Sequence, residues 1–329
     1  MALRLLRYSY GAVRSRALAA GLLKPEQIGD LLDCASKTEA ERWLEKKVDI
    51  PAGAVEAGLH GRFMAFGKKV SRSLPTPARE LLFSYLSRGQ VENLKVLCRN
   101  LLVDRRQETD RFLLPDAQGK IVTTHCAAAG TPEELLKRLP RSPYRDAVRA
   151  ALAASPEERL FRVESGLDRT FWEMVWERSR RLAFFDRRAA LEILGMRADI
   201  EWCRVLGRGI RAGLPAATIL DSLPPLGALL PARRVRIALK SENPAAAVAQ
   251  LMTGIDGDPL GTDGETFLFR RLYRHLRRTL ISHPFDVSVP LSSLLLMELE
   301  THDLKSIFGG KRVGSAREDI LPFLSSYGV

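Results

Sequence analysis

Two short sequence blocks recur three times along this chain of 329 residues, in the same order and at nearly the same spacing. The first block is Glu-x-x-Leu, and its copies begin at Glu56, Glu164 and Glu265. The second block follows 37 or 38 residues later, with its centre at Asn93, Trp202 and Asp303. One Glu-x-x-Leu carries no information, but two ordered blocks at matched intervals predict a chain built from three related units.

The apolar residues within these units recur at helical spacing. In residues 55–70, for example, one face carries Leu59, Phe63, Phe66 and Val70. Strand-like alternation is absent, and prolines stand where helices are expected to begin or end. We therefore predict an all-α fold of three pseudo-repeated helical bundles, covering residues 1–107, 108–215 and 216–329, with each Glu-x-x-Leu block opening a helix. Linked copies of one unit would form a three-lobed body.

Polar residues recur at fixed places in the blocks and are the candidates for structural or partner contacts. A basic residue follows each block centre by two positions. Asn93 is expected to satisfy backbone groups or a neighbouring helix end. Arg99 and Arg208 are expected to pair with Glu56 and Glu164, within one lobe or across lobes. The full set of candidates is Glu56, Asn93, Lys95, Arg99, Glu164, Arg204, Arg208, Glu265, Glu300 and Lys305.

The net charge of +12 has two interpretations. It favours an acidic partner, such as nucleic acid, an anionic membrane surface or an acidic protein, or it reflects a lineage that prefers Arg. With 7% aromatic residues and no recognised nucleic-acid module, nucleic-acid binding is the weakest of these hypotheses. No apolar run approaches the ~20 residues that span a bilayer, so we expect a protein that lies against a membrane at most.

The first 25 residues hold five basic side chains and no acid. This composition is typical of a mitochondrial transit peptide. The alternative is a first structural helix, with one face formed by Leu6, Tyr10, Val13 and Ala17. We favour the helix, because the repeat includes this segment.

No pattern of residues indicates catalysis, a metal or a cofactor. The chain lacks the GxxxxGK[ST] loop that holds nucleotide phosphates. Its four cysteines are scattered without a CxxC pair and are expected to be buried thiols. The histidines form no HExxH pattern, and the acidic stretch 256–265 fails the calcium-loop spacing. We therefore predict a non-catalytic protein that needs no cofactor.

Four stretches share a pattern with one known family. They are Tyr10, Arg14, Arg16 and Ala17; Asn93, Leu94, Lys95 and Arg99; Asp199, Arg204 and Arg208; and Glu300, Leu304 and Lys305. On these residues the chain resembles the C subunit of the archaeal and bacterial V/A-type ATPase/ATP synthase, equivalent to the d subunit of the vacuolar enzyme. It departs from the family pattern at Gln90, where an acid is usual, and at Trp202, where Asn is usual.

This resemblance implies a funnel-shaped, three-lobed rotor adapter that hydrolyses nothing. Its implied partners are the proteolipid subunits of the membrane rotor ring and the central stalk subunits D and F, at the cytoplasmic face of the membrane. Nucleic acid is not among them. The stripe Arg270, Arg274, Arg277 and Arg278 is expected either to meet acidic loops or anionic head groups, or to be a solvated face. The alternative function is a generic helical-repeat scaffold that binds other proteins.

Overall fold

The all-α prediction is confirmed by the computed structural model. It describes residues 2–102, 113–114, 123–139, 141–252, 254, 258–282 and 285–326, and these residues contain no β-strand. The boundary predicted between residues 107 and 108 lies outside the described residues. The boundary predicted between residues 215 and 216 coincides with the start of a helix.

The helices fall into three sets in chain order. The first set is α1 (Ala2–Ala19), α2 (Pro25–Asp33), α3 (Lys37–Val48), α4 (Val55–Ser71), α5 (Thr76–Leu86) and α6 (Arg88–Leu102). The second is α7 (Thr123–Ala127), α8 (Pro132–Arg138), α9 (Pro143–Leu152), α10 (Pro156–Arg180) and α11 (Phe184–Arg211). The third is α12 (Ala216–Asp221), α13 (Ala232–Ala238), α14 (Pro244–Leu251), α15 (Thr262–Ser282), α16 (Ser288–Val313) and α17 (Arg317–Ile320), followed by a 3₁₀ turn at Leu321–Phe323.

Prolines begin several of these helices, as the sequence predicts. Pro143, for instance, is the first residue of α9, and the Ser142 side chain before it accepts a hydrogen bond from the amide of Arg145. Proline suits this position because the first amides of a helix have no partner within it. At the other end, Gly213 and Gly314 follow α11 and α16 with φ of +64° and +74°. Glycine adopts this left-handed conformation at little cost, which ends both helices cleanly.

One predicted helix start is wrong. The Glu-x-x-Leu block at Glu164 does not open a helix, because α10 begins at Pro156 and the block lies inside it. Pro156, with Glu157 and Glu158 in the first turn, provides the start signal instead. Glu56 and Glu265 do lie in the first turns of α4 and α15.

The repeated helices close into a ring. Each unit has a first helix, which is α4, α10 or α15 in chain order. A second helix follows it: the broken pair α5 and α6 in the first unit, α11 in the second and α16 in the third. Every first helix packs against the second helix of its own unit and against that of the preceding unit, with α4 packing on α16 to close the cycle. The chain of contacts therefore returns to its start, and each unit is held by two neighbours.

An aromatic cluster is buried between α5 and α10. Tyr85, Phe171 and Trp172 are buried there and contact one another edge to face, with ring centroids 5.4 to 6.2 Å apart. Edge-to-face pairs of aromatic rings add stability beyond the area that they bury. The faces predicted from the sequence of α4 agree with this packing, since Leu59, Phe63 and Val70 are buried.

The N-terminal helix is present, but its predicted face is wrong. Tyr10 and Val13 are 66% and 58% exposed, whereas Tyr8 and Ala12 of the opposite face are buried. The reason is close packing on α4 and α16, since a Cβ at Gly11 would lie only 2.8 Å from a Leu74 side-chain carbon. Gly11 and Ala12 therefore face the protein together with Tyr8, whereas Tyr10 and Val13 face outward.

Candidate functional site: the seams between the repeated units

The three block centres hold the chain that follows them. Asn93 bonds both backbone groups of Leu114, with its amide nitrogen 2.9 Å from the carbonyl oxygen and its amide oxygen 2.8 Å from the backbone nitrogen. The indole of Trp202 donates to the Pro224 carbonyl at 3.1 Å. Asp303 accepts from the Ser325 backbone N–H at 2.7 Å. The partners lie 21 or 22 residues downstream in every case, so the replacement of Asn by Trp or Asp keeps the same contact.

The acids three positions before the second and third centres, Asp199 and Glu300, make a second set of contacts. Asp199 accepts hydrogen bonds from the backbone N–H groups of Ala228 and Leu229 at 2.8 and 3.0 Å. Glu300 accepts from the Leu23 backbone N–H at 2.5 Å and from Arg62 of α4. Each of these acids therefore anchors a segment that follows or precedes a repeated helix, and Glu300 also ties the third unit to the first.

Burial makes Asp199 sensitive to pH. Desolvation raises the pKa of its carboxyl from 3.8 to about 6, although the two amide hydrogen bonds and the charge of Arg271 oppose the rise. The folded protein therefore holds a proton on Asp199 up to a higher pH than the unfolded chain. The stabilisation due to this proton is fully present below about pH 4 and is lost as the pH rises to about 6.

Asp199→Asn is expected to change this pH dependence. Asn keeps an oxygen that accepts from the two amides but cannot ionise, so the variant avoids a charge burial worth up to about 3 kcal/mol at neutral pH. The free energy of unfolding of the variant relative to the natural protein should rise between pH 4.5 and pH 7.5, measured by urea unfolding. A difference that stays constant or falls over this range would contradict the assigned pKa. Asp30→Asn, on the exposed face of α2, is the control and should show no such trend.

Ion pairs join neighbouring units at all three seams, and the repeated charges of the blocks form them at two. At the first seam, Arg99 of α6 binds Glu164 of α10, and Lys95 lies 2.5 Å from Asp168. Arg208 of α11 also binds Glu164, at 2.5 Å and within the second unit. Both arginines thus bind Glu164, Arg99 from the first unit and Arg208 from the same unit as Glu164. At the second seam, the contact runs from α11 to α15 through Arg204 and Glu265.

The third seam differs from these two. Its equivalent residues, Glu56 of α4 and Lys305 of α16, are exposed and line one groove of about 630 Å³. Within the described part of the chain, neither forms a salt bridge. The ion pairs across this seam are instead the deeper pair between Arg62 and Glu300 and the pair between Arg317 and Asp33.

A buried charge network lies at the centre of the ring. Glu201 of α11 accepts from Arg88, Arg197 and Arg204 at 2.5, 3.1 and 3.2 Å. Arg197 also binds Glu298 of α16 at 3.0 Å. The three arginines hold the pKa of Glu201 well below its usual range despite its burial, so the carboxylate stays ionised. These contacts tie all three units together.

The sequence prediction missed this network. Arg88, Arg197 and Glu298 all stand five residues before a block centre, so the repeat alignment contained a signal. The signal is weak because the third unit has an acid where the others have Arg. Charge complementarity between units appears only when the ring brings the three positions together.

Six of the predicted candidates line one groove of about 480 Å³. They are Lys95, Arg99, Glu164, Arg204, Arg208 and Glu265. The groove carries both charge signs, which suits a polar protein segment better than a small ion.

Among the described residues no group of three or more His, Cys, Asp or Glu side chains is arranged to hold a metal ion. The four cysteines are buried as predicted, and burial raises the pKa of Cys98 and Cys203 to about 12. These two thiols are therefore poor nucleophiles.

The fold and its seams define an all-α protein in which three first helices and their second helices contact one another in a closed cycle. A family model described as ATP synthase (C/AC39) subunit matches residues 12–323, and the chain belongs to this family. The C subunit of the A-type ATP synthase of Methanosphaera stadtmanae is 23% identical over 207 residues, which are 61% of this chain and 54% of that relative. The match therefore spans about half the length of the relative. In the described part of the chain, no helix is long and apolar enough to cross a membrane.

Proposed function

We propose that this protein is the non-catalytic rotor adapter of a V/A-type ATPase/ATP synthase. It would couple the central stalk subunits D and F to the proteolipid ring, as a peripheral protein at the cytoplasmic face of the membrane. Family membership over residues 12–323 is the observation that carries this proposal. The closed ring of helices supports it, because a part that transmits torque must resist deformation between its two ends.

The stiffness of the ring follows from the helix packing and the ion pairs between its units. Each first helix packs against two second helices, and charge pairs such as Arg204 with Glu265 cross the seams. Closely packed protein interiors have low compressibility and transmit strain. The central network around Glu201 spans all three units, so a force applied to one unit is passed to the other two. We retain residues 1–107, 108–215 and 216–329 as the proposed units, and a three-lobed funnel as their proposed arrangement.

The charged grooves at the seams are the proposed binding surface for the central stalk. They lie at the end of the ring where first helices begin and second helices finish. At two seams the repeated charges pair with each other, whereas Glu56 and Lys305 at the third seam remain exposed. An exposed acid and base at one groove offer complementary contacts to a helix of the stalk.

Charge reversal at both positions, Glu56→Lys with Lys305→Glu, is expected to weaken retention of the D and F subunits at least tenfold. The thermal midpoint should be unchanged, because both side chains are exposed. The measurement is pull-down of purified stalk by the full chain, with binding followed by surface plasmon resonance. Arg42→Glu with Glu45→Arg, on the exposed face of α3, is the matched control.

Purification of the whole complex tests the proposal itself. One copy of this chain per assembly is expected, together with retention of both the ring and the stalk. Retention of neither would overturn the adapter function. Capture of unrelated proteins instead would favour the alternative, a generic helical-repeat scaffold.

A further inference from the structure

The hairpin ends of the three units lie together at one end of the ring. Arg178, near the end of α10, is 3.0 Å from Glu80 of α5, which joins the second unit to the first. His275 of α15 lies 3.9 Å from Glu192 of α11, which joins the third unit to the second. The N-terminal helix completes this end, since Arg16 donates to the Leu280 carbonyl at 2.7 Å. We call residues 7–14, 68–72, 177–188 and 274–282 together the basic end.

The basic end is strongly positive. Its four segments contain thirteen Lys and Arg residues and two acids, Glu177 and Asp186. Glu80, beside it, pairs with Arg178 and Arg181 and leaves the excess large. The opposite end carries interleaved charges of both signs, as the groove lining shows. The net charge of +12 is therefore concentrated at one end.

Exposed apolar side chains lie within the same end. Phe184 and Phe185, at the turn between α10 and α11, are each 63% exposed and contact each other edge to face. Ile281, at the corresponding end of α15, is 83% exposed. Tyr10 and Val13 of α1 are the other members of this set. Five of the eight large apolar residues that are exposed in the described part of the chain thus lie at the basic end.

We propose that the basic end binds the surface of an anionic phospholipid bilayer directly. Aromatic and aliphatic side chains at a helix turn can enter the head-group region, while the surrounding Arg and Lys meet lipid phosphates. Each basic residue near such a surface is worth roughly a fivefold change in affinity. Phospholipid is favoured over an acidic protein because the basic residues are spread over four chain segments around exposed apolar side chains.

This inference extends the proposed function, since it would place the basic end toward the membrane and the charged grooves toward the stalk. It does not depend on the ring, because the lipid itself is the ligand. The test uses the full chain and vesicles of phosphatidylcholine, with or without about 30% phosphatidylglycerol. Binding is measured by co-sedimentation at several salt concentrations.

The natural protein is expected to bind the anionic vesicles at least tenfold more tightly than the neutral ones, with binding weakened by salt. Phe184→Ser with Phe185→Ser should reduce binding to anionic vesicles about tenfold. Arg277→Gln with Arg278→Gln should reduce it about 25-fold, as the product of two fivefold changes. Matched controls at the opposite end are Val313→Ser with Phe323→Ser, and Lys46→Gln with Lys47→Gln. All of these side chains are exposed, so folding is retained.

Equal binding to the two kinds of vesicle would overturn the inference. Equal losses in the basic-end variants and in their controls would do the same. Retention of the proteolipid ring in detergent, without added lipid, is scored in parallel. Ring retention without vesicle binding removes only this inference, whereas vesicle binding without ring retention removes only the adapter function.

Discussion

Glu201→Leu is expected to lower the free energy of unfolding by about 3–5 kcal/mol. The substitution removes the one carboxylate that Arg88, Arg197 and Arg204 share. It leaves an excess of positive charge in the network, although Glu298 still pairs with Arg197 and Glu265 with Arg204. Arg197 is 3% exposed, so water cannot replace the lost partner. Loss of one member of a buried ion group costs more than the group itself contributes, because the remaining charge stays desolvated.

Urea unfolding followed by circular dichroism is the measurement. Glu177→Leu is the matched control, since Glu177 is 59% exposed and its ion pair among the described residues is with Arg180 of the same helix. Its effect should stay below about 0.5 kcal/mol. If Glu201→Leu costs less than about 1 kcal/mol, the central network does not hold the units together. Because the network spans all three units, a broad or two-step transition is a further expected sign of the variant.

Trp202→Ala is expected to cost about 3–5 kcal/mol, the range for truncation of a buried large aromatic side chain. The Trp202 side chain packs beside Gly227 and holds the Pro224 carbonyl, so its loss leaves both a cavity and an unpaired buried acceptor. Trp202→Phe separates the two effects. It keeps much of the packing but removes the indole N–H, and should cost about 1–3 kcal/mol.

Limited proteolysis provides a second measurement for the same residue. The segment 214–231 is expected to be cleaved faster in Trp202→Phe, because its backbone has lost the anchor at Pro224. Trp176→Ala, on a half-buried face of α10, is the control and should leave cleavage of this segment unchanged. Wild-type stability and wild-type cleavage in Trp202→Phe would show that the repeated block centres do not anchor the following chain.

Much of the fold follows from local patterns that the sequence displays directly. Helical periodicity of apolar residues and prolines at helix starts report on neighbouring residues, and a neighbour in sequence is a neighbour in any helix. The threefold repeat is visible for the same reason, since matched intervals need no knowledge of packing. Predictions about Leu59, Phe63 and Val70 are therefore confirmed, as is the all-α class.

The face of a helix that packs against the protein follows less directly from the sequence. In α1, Tyr10 and Val13 face outward, whereas Tyr8 faces the protein together with the small residues Gly11 and Ala12. Close approach of backbones selected small residues, and hydrophobicity alone cannot anticipate this. The same limit applies to charge pairs. Glu164 binds both Arg99 and Arg208 because α6, α10 and α11 meet at one place in the fold.

The sequence by itself determined that the chain is helical and that two blocks recur along it three times at matched intervals. Only the tertiary structure decided that the units close into a ring, that Arg88, Arg197, Glu201 and Glu298 meet at its centre, and that positive charge gathers at one end. The reason is physical: periodicity is set by contacts a few residues apart, whereas charge pairing and shared surfaces join helices about a hundred residues apart in the chain.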